Sequence, residues 1–292
     1  LCAPMARRPV SKELWQQLQP LIPTFVPSSK GGPRKRTVSD EAALNGILFV
    51  LQTGIPWEAL PQSMGFSSGM TCWRRLRDWQ SVGVWEQLHH AMLIRLREHD
   101  QIDWERASID GSQSQAPGGQ QTGPNPTDRG KLGSKRHIVV DARGIPLVVL
   151  VSGANRHDSM LFESCIDAIP ALRGLAGRPR QRPRKLHADK GYDYRRCRAY
   201  LRAKGILSRI ARRGVESSQR LGKHRWVVER THAWFAGFGK LRIRFERRLD
   251  IHQALLTLAA AIICSRFGTG RVSHSKKAAW LASGQGDDGY LK

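Results

Sequence analysis

The chain has 292 residues, 40% of them apolar, enough for a sizeable core, and no apolar run approaches the length of a membrane span. Forty-eight Lys and Arg against 24 Asp and Glu leave a net charge of +24, so the surface repels itself unless it meets a polyanion, of which nucleic acid is the commonest. Five scattered cysteines with no CxxC pair exclude a disulfide framework and a cysteine-built zinc site.

The charge is uneven. From Arg173 to Arg248 there are 24 basic residues and 5 acidic ones, interleaved with apolar segments, which is unlike a solvated basic tail. The first ten residues, LCAPMARRPV, lack the apolar run of a secretory signal, and the reading frame is expected to open at Met5.

Residues 11 to 100 read as helical. Ser11 is placed to cap a helix carrying Leu14, Trp15, Leu18 and Leu21, stopped by Pro23. After a basic connector from Ser28 to Arg36, Ser39 leads a second helix that ends at Gly54. Pro56 opens a short turn, and Ser67 or Ser68 caps a helix through Met70, Trp73, Leu76 and Trp79, ended by Gly83. Val84 to His99 reads as a fourth. The stretch from Pro56 to Gln80 resembles a helix-turn-helix, with Met70, Trp73 and Leu76 facing the core and Thr71, Arg74, Arg75 and Asp78 turned to a partner such as a DNA major groove. A plain helical bundle with solvated arginines is the competing reading.

From residue 106 the period changes. Ala107 to Asp110 is strand-like, and a Gly-, Pro-, Ser- and Gln-rich loop is expected from Ser112 to about Ser134. His137–Asp141 and Ile145–Ser152 form a hairpin, and Asp158 caps a helix to about Ile169. A strand from Lys185 to Asp189, a helix from Tyr194 to Lys204, a strand from Ile206 to Ile210 and a helix from Lys223 to Phe235 follow. His252 to Phe267 reads as a final core helix that packs Cys264, and the Gly/Ser/Lys-rich remainder as a disordered tail. The order predicts an α/β fold, a mixed sheet covered by helices.

Two carboxylates, Asp110 and Asp189, end strands just before or near a glycine, where open α/β sheets bind ligands. Glu229 is the only acid in its helix. Each has a plain alternative: a turn residue for the aspartates, an i, i+4 tie to Arg225 for the glutamate. Together, in so basic a chain, they point to a divalent cation held by oxygen ligands. Glycosidases also use paired carboxylates, but they fit this charge poorly.

The segments IDGS (109–112), GSKRHIVVDARGIPL (133–147), GANRHD (153–158), HADKGYD (187–193) and HRWVVERTHAWF (224–235) resemble bacterial insertion-sequence transposases of the "insertion sequence five" type, in the group named for its Asp-Asp-Glu triad. The likeness runs from about residue 10 to 267. It implies a ribonuclease H-like core at 101–267 after a helical DNA-binding domain at 1–100, with the tail at 268–292. It implies Mg2+, with Mn2+ as a substitute, bound as two ions by Asp110, Asp189 and Glu229. The partners implied are double-stranded DNA, as terminal inverted repeats and target, and a second copy of the chain on that DNA. The protein is expected in the bacterial cytoplasm, at the nucleoid, with no membrane role.

Arg225 matches the arginine four positions before the Glu. The family's Tyr three residues before that arginine is replaced by Gly222, and its Lys seven residues after the Glu by Ala236. Phosphate contacts are assigned to Lys190 and Arg225, and also to Arg230, with Lys223 and Lys240 as further stand-ins; Arg74 and Arg75 contact DNA from the helical domain. His137 and His157 are read as structural, and Tyr192, Tyr194 and Trp226 either stack on bases or pack the core. A repair or junction nuclease, or a non-enzymatic DNA-binding relic, remain open as other readings.

Overall fold

The computed structural model describes residues 10–26, 36–215 and 218–268, with the side chains of 218–224 left out. The expectations for Met5, the connector before Arg36, Gly222, Lys223 and the tail after Gly268 fall outside these residues or side chains.

The N-terminal helices form where capping serines stand. α1 (Lys12–Leu18), α2 (Asp40–Thr53) and α3 (Gly69–Ser81) are capped by Ser11, Ser39 and Ser68, each accepting from a backbone N–H in the first turn. Gly54 ends α2 with φ +80°, a conformation that favours glycine. α4 (Val84–Glu98) follows Gly83. A 3-10 turn at Trp57–Ala59 crosses the start of α3 so closely that a Cβ on Gly69 would lie 1.7 Å from the Trp57 carbonyl oxygen.

One expectation for α3 is corrected. Its outward stripe is Met70, Arg74 and Asp78, while Arg75 is buried among Cys72, Leu76 and Trp79 and pairs with Asp40 of α2. Met70 is 49% exposed. The helix is rotated from the expected face because a cationic head can be kept inside when a carboxylate 35 residues earlier meets it.

The sheet is built around β1 (Ala107–Gln115). β1 pairs antiparallel with β3 (Leu132–Asp141) and parallel with β5 (Lys185–Ala188); β4 (Pro146–Gly153) adds to the far side of β3, and β6 (Leu207–Ile210) to β5. The two-residue β2 (Gly123–Pro124) pairs with the start of β3. The spatial order of the long strands is thus β4-β3-β1-β5-β6, three antiparallel then two parallel to the first, a ribonuclease H-like arrangement. β3 is buried without interruption from His137 to Asp141, which requires cover on both faces. α5 (Phe162–Asp167) and α7 (Ser218–Ala236) supply it, while α6 (Arg195–Ala203) packs on β6 and α8 (Leu249–Gly268) on β4.

α8 is buried nearly all round, packing on β4 and α7 and receiving α3 and α4 of the N-terminal part. Among the described residues it is the one helix long and apolar enough to cross a membrane, and here it is the core of the protein.

β1 runs five residues beyond Asp110, so the expected loop at Ser112–Ser134 is shortened and Asp110 lies mid-strand rather than at its end. The polar run GSQSQ stays extended because every residue of it is paired with β3, from Gly111↔His137 to Gln115↔Gly133. Likewise His157, not Asp158, caps the 3-10 turn Asp158–Leu161 that precedes α5.

Candidate active site

The register of two parallel strands decides where the aspartates lie. Ala107 pairs with Leu186 and Ser108 with His187, and the same offset carried on puts Asp110 level with Asp189, the residue after β5 ends, near enough for Asp189 to act on the Asp110 carboxyl. Asp189 caps the following 3-10 turn, accepting from the Gly191 N–H at 2.9 Å.

α7 crosses this point. Arg225, Glu229 and His232, spaced by four and three, share one face of the helix. Arg225 brings Nη2 to 3.7 Å from Asp110 Oδ1, and His232 brings Nε2 to 3.8 Å from Oδ2. Glu229 between them is solvent-exposed. Arg225 therefore turns to Asp110, not back along its helix.

A third aspartate stands behind. Asp158 Oδ1 is 3.0 Å from Lys135 Nζ and 4.0 Å from His137 Nδ1, and it lies so close to β1 that a Cβ on Gly111 would meet it at 2.5 Å. Sequence reasoning gave Asp158 only a capping role; its position after the hairpin was the available signal.

Burial pushes the Asp110 carboxyl up to about 7; Arg225 opposes this, and Asp189 and Asp158 add to it. His232 is pushed down to about 3, first by burial, then by Arg136 and His137, with the Asp110 backbone opposing. His137 falls to about 4 by burial, against the pull of Asp158, and bonds Ser152 Oγ at 2.8 Å. At neutral pH both imidazoles are uncharged.

The other expected contacts divide. Arg74 is exposed, and Lys190 is half-buried directly after Asp189. Arg75 is excluded from a DNA face by its burial. Arg230 lies on the other side of α7, its guanidinium 4.5 Å and 4.6 Å from the ring centroids of Trp226 and Trp234 and donating to the Arg143 carbonyl at 2.5 Å. It ties α7 to the β3–β4 turn and does not face Asp110. Lys240 is buried against Trp57 and Glu246, so it is no substitute for the missing lysine. Tyr192 is fully buried against Phe162, which removes it as a stacking platform; Trp226 is 41% exposed.

Residues 102–264 match the family model described as "Transposase DDE domain". The chain belongs to the DDE transposases. Residues 10–89 match a second model, "Putative transposase of IS4/5 family". The transposase is 57% identical over 143 residues to a putative transposase for insertion sequence element IS402 of Burkholderia cepacia, 49% of this chain and 68% of that one. It is 50% identical over 123 residues to the IS402 uncharacterized 16.2 kDa protein of the same organism, 42% of this chain and 84% of that one. A solved structure, the Mos1 mariner paired end complex with Mn, overlaps 86% of each chain at 11% identity and a TM-score of 0.24, too loose to bear on the site.

Family membership implies a divalent cation in the transposase's chemistry. Among the described residues no three His, Cys, Asp or Glu side chains are gathered tightly enough to hold an ion as they stand. The donor set nevertheless fits one. Burial first, then the neighbouring Asp189 and Asp158, raise the Asp110 carboxyl to about 7 in spite of Arg225. A cation between two such carboxylates removes that penalty.

Proposed function

We propose that this transposase binds the terminal inverted repeats of an insertion sequence and cuts and joins DNA strands at Asp110, Asp189 and Glu229. The observation that carries the reading is the β1–β5 register, which brings Asp110 level with Asp189 under the α7 face of Arg225, Glu229 and His232. Asp110 and Asp189 would hold Mg2+, with Glu229 completing the set from the exposed side of the same face. When bound, two such ions supply an activated hydroxyl nucleophile and a counter-charge for the departing 3′-oxygen.

The chain's own groups do the rest. Arg225 lowers the proton affinity of Asp110 and keeps the carboxylate available for ligation. His232, neutral and buried, packs beside the opposite oxygen of the same carboxylate and shields it from water. Lys135 neutralises Asp158 so that a third acid can stand nearby without a cation of its own. Lys190 and Arg225 are the groups nearest to bind phosphate. The helical part up to residue 100, with Arg74 on the exposed stripe of α3, reads as the DNA-docking domain, and 101–267 as the catalytic one. Both act on chromosomal DNA in the bacterial cytoplasm, as a homo-oligomer that joins two element ends.

A direct test is Mn2+ binding followed by water-proton relaxation in the absence of DNA. Wild type is expected to bind Mn2+, Mg2+ to displace it, and Asp110→Asn and Asp189→Asn each to weaken it tenfold or more. Equal binding by both variants and wild type would remove these aspartates from the site.

A further inference from the structure

Past Asp110, β1 continues on the same face two residues later with Ser112 and then Ser114. There β1, β3, α7, the Leu241–Arg242 segment and α8 enclose a cavity of about 240 Å³. Ser112, Ser114, Arg136, His232, Arg242 and His252 line it.

The walls are built for an anion. Arg136 is a guanidinium whose proton affinity falls to about 10 through burial alone, with no acid acting to restore it. It donates weakly to His232 Nδ1 at 3.4 Å and lies 4.8 Å from the Phe235 ring centroid. Arg136 Nε and His252 Nδ1 are both buried without a hydrogen-bond partner among the described residues, while His232 Nε2 is turned to Asp110. His252 is held to about 3, by burial first and by Arg244 and Arg136 next, so its ring brings no charge of its own. Because Nδ1 of His232 accepts from Arg136, its ring hydrogen sits on Nε2.

Buried donors and a buried cation left unmatched are costly, and the shared remedy is a group with several acceptor oxygens and negative charge. A phosphate satisfies a planar guanidinium, the His252 imidazole and serine hydroxyls at once. Arg242 stands exposed at the rim, its Nε fixed by the Ala236 carbonyl at 2.8 Å. Ser112 lies about 7 Å along the strand from Asp110, which is about one backbone step of a nucleic-acid strand.

We propose that this cavity is a phosphate subsite, receiving the phosphodiester next to the one at Asp110 on the same DNA strand. The assignment of the DNA source rests on the proposed function; the anion chemistry of the cavity does not. Arg136 fixes the phosphate from beneath, His252 and the β1 serines from the sides, and Arg242 closes over it. A strand seated there is held in register with the carboxylates before any bond is broken.

The test uses the full chain, wild type and Arg136→Met, in EDTA so that catalysis plays no part. In phosphate-free buffer the variant is expected to melt no lower than wild type, because it removes an uncompensated buried charge. A variant that melts several degrees lower would make Arg136 a structural residue and overturn the proposal. Inorganic phosphate should raise the melting temperature of wild type and not of Arg136→Met. On duplex DNA of arbitrary sequence, the slope of log K against log salt should shrink by about one in the variant. Arg242→Gln, at the exposed rim, should move the slope in the same direction with no change in melting. A phosphate effect with unchanged DNA slopes would leave an anion pocket that DNA does not use, overturning the DNA assignment. Equal phosphate effects on both proteins would overturn the subsite altogether. If wild type binds DNA but never cuts it once Mg2+ is supplied, while both differences hold in EDTA, the proposed function fails and the subsite stands.

Discussion

Arg225 and Asp110 face each other across the seam between α7 and β1, with Nη2 3.7 Å from Oδ1. The arginine is the main force holding down a carboxyl that burial has raised to about 7. Replacing it with Gln should raise the proton affinity of Asp110 further. Ligation needs the ionised form, so the pH at which Mn2+ binding reaches half its maximum should move upward in Arg225→Gln. An unchanged midpoint would mean that the pair does not govern the site.

The same raised carboxyl makes a prediction for the metal-free protein. Between its ordinary value of 3.8 and about 7, Asp110 keeps its proton in the folded chain and loses it in the unfolded one. Stability from this group is therefore full below pH 4 and is lost as the pH rises to about 7. Each tenfold change in proton affinity is worth about 1.4 kcal/mol, so Asp110→Asn in EDTA should gain a few kcal/mol of stability at pH 8 and almost none at pH 4. Asp141, also raised to about 7 by burial, adds the same sign in both proteins and cancels in the comparison. Denaturant titrations at the two pH values check this; a variant less stable at pH 8 would contradict it.

Adjacent arginines on α3 should behave oppositely. Arg75→Ala leaves Asp40 with Arg36 as its remaining cation and opens a gap in the buried face of α3, and should cost about 1–3 kcal/mol of stability. Arg74→Ala should leave the melting temperature unchanged and weaken binding to all duplexes alike. Paired thermal melts and DNA titrations separate the two, and a melting loss in Arg74→Ala would contradict the exposed assignment.

This pair also marks where sequence reading stopped. The helix caps at Ser11, Ser39 and Ser68 were legible because capping is local: a hydroxyl and an N–H three residues on. The buried helix around Cys264 was legible from its length and lack of polar residues. Arg75 was not, since the residue that buries it stands 35 positions away. Nor was the second half of β1, whose GSQSQ has no strand character and is extended only by its pairing with β3. For the site, Asp110 could be placed on a strand and Asp189 at the end of one, but not that β1 runs on past Asp110, and their shared level needs the β1–β5 register. His232 and Arg136 were missed, although the first follows Glu229 by three and so had to share its face.

Gly111 separates Asp110 from the rest of β1 at the closest approach of Asp158. A methyl there would sit 2.5 Å from Asp158 Oδ1 and 3.2 Å from Lys135 Cδ. Either the Lys135–Asp158 pair or the strand must give way. Gly111→Ala is expected to lower the melting temperature by several degrees and strand cleavage by at least tenfold. Normal values of both would show that the carboxylates tolerate displacement.

Strand cleavage and joining turn on Asp110, Asp189 and Glu229 acting as one site on DNA. That is measured most simply as strand cleavage of a plasmid carrying the DNA that flanks this gene, with Mg2+ and with EDTA, by wild type and by Glu229→Gln. Wild type is expected to cut at the element ends only with metal, and the variant to bind the same ends without cutting. Equal cutting by wild type and variant, or cutting by wild type in EDTA, would contradict a shared metal-dependent site.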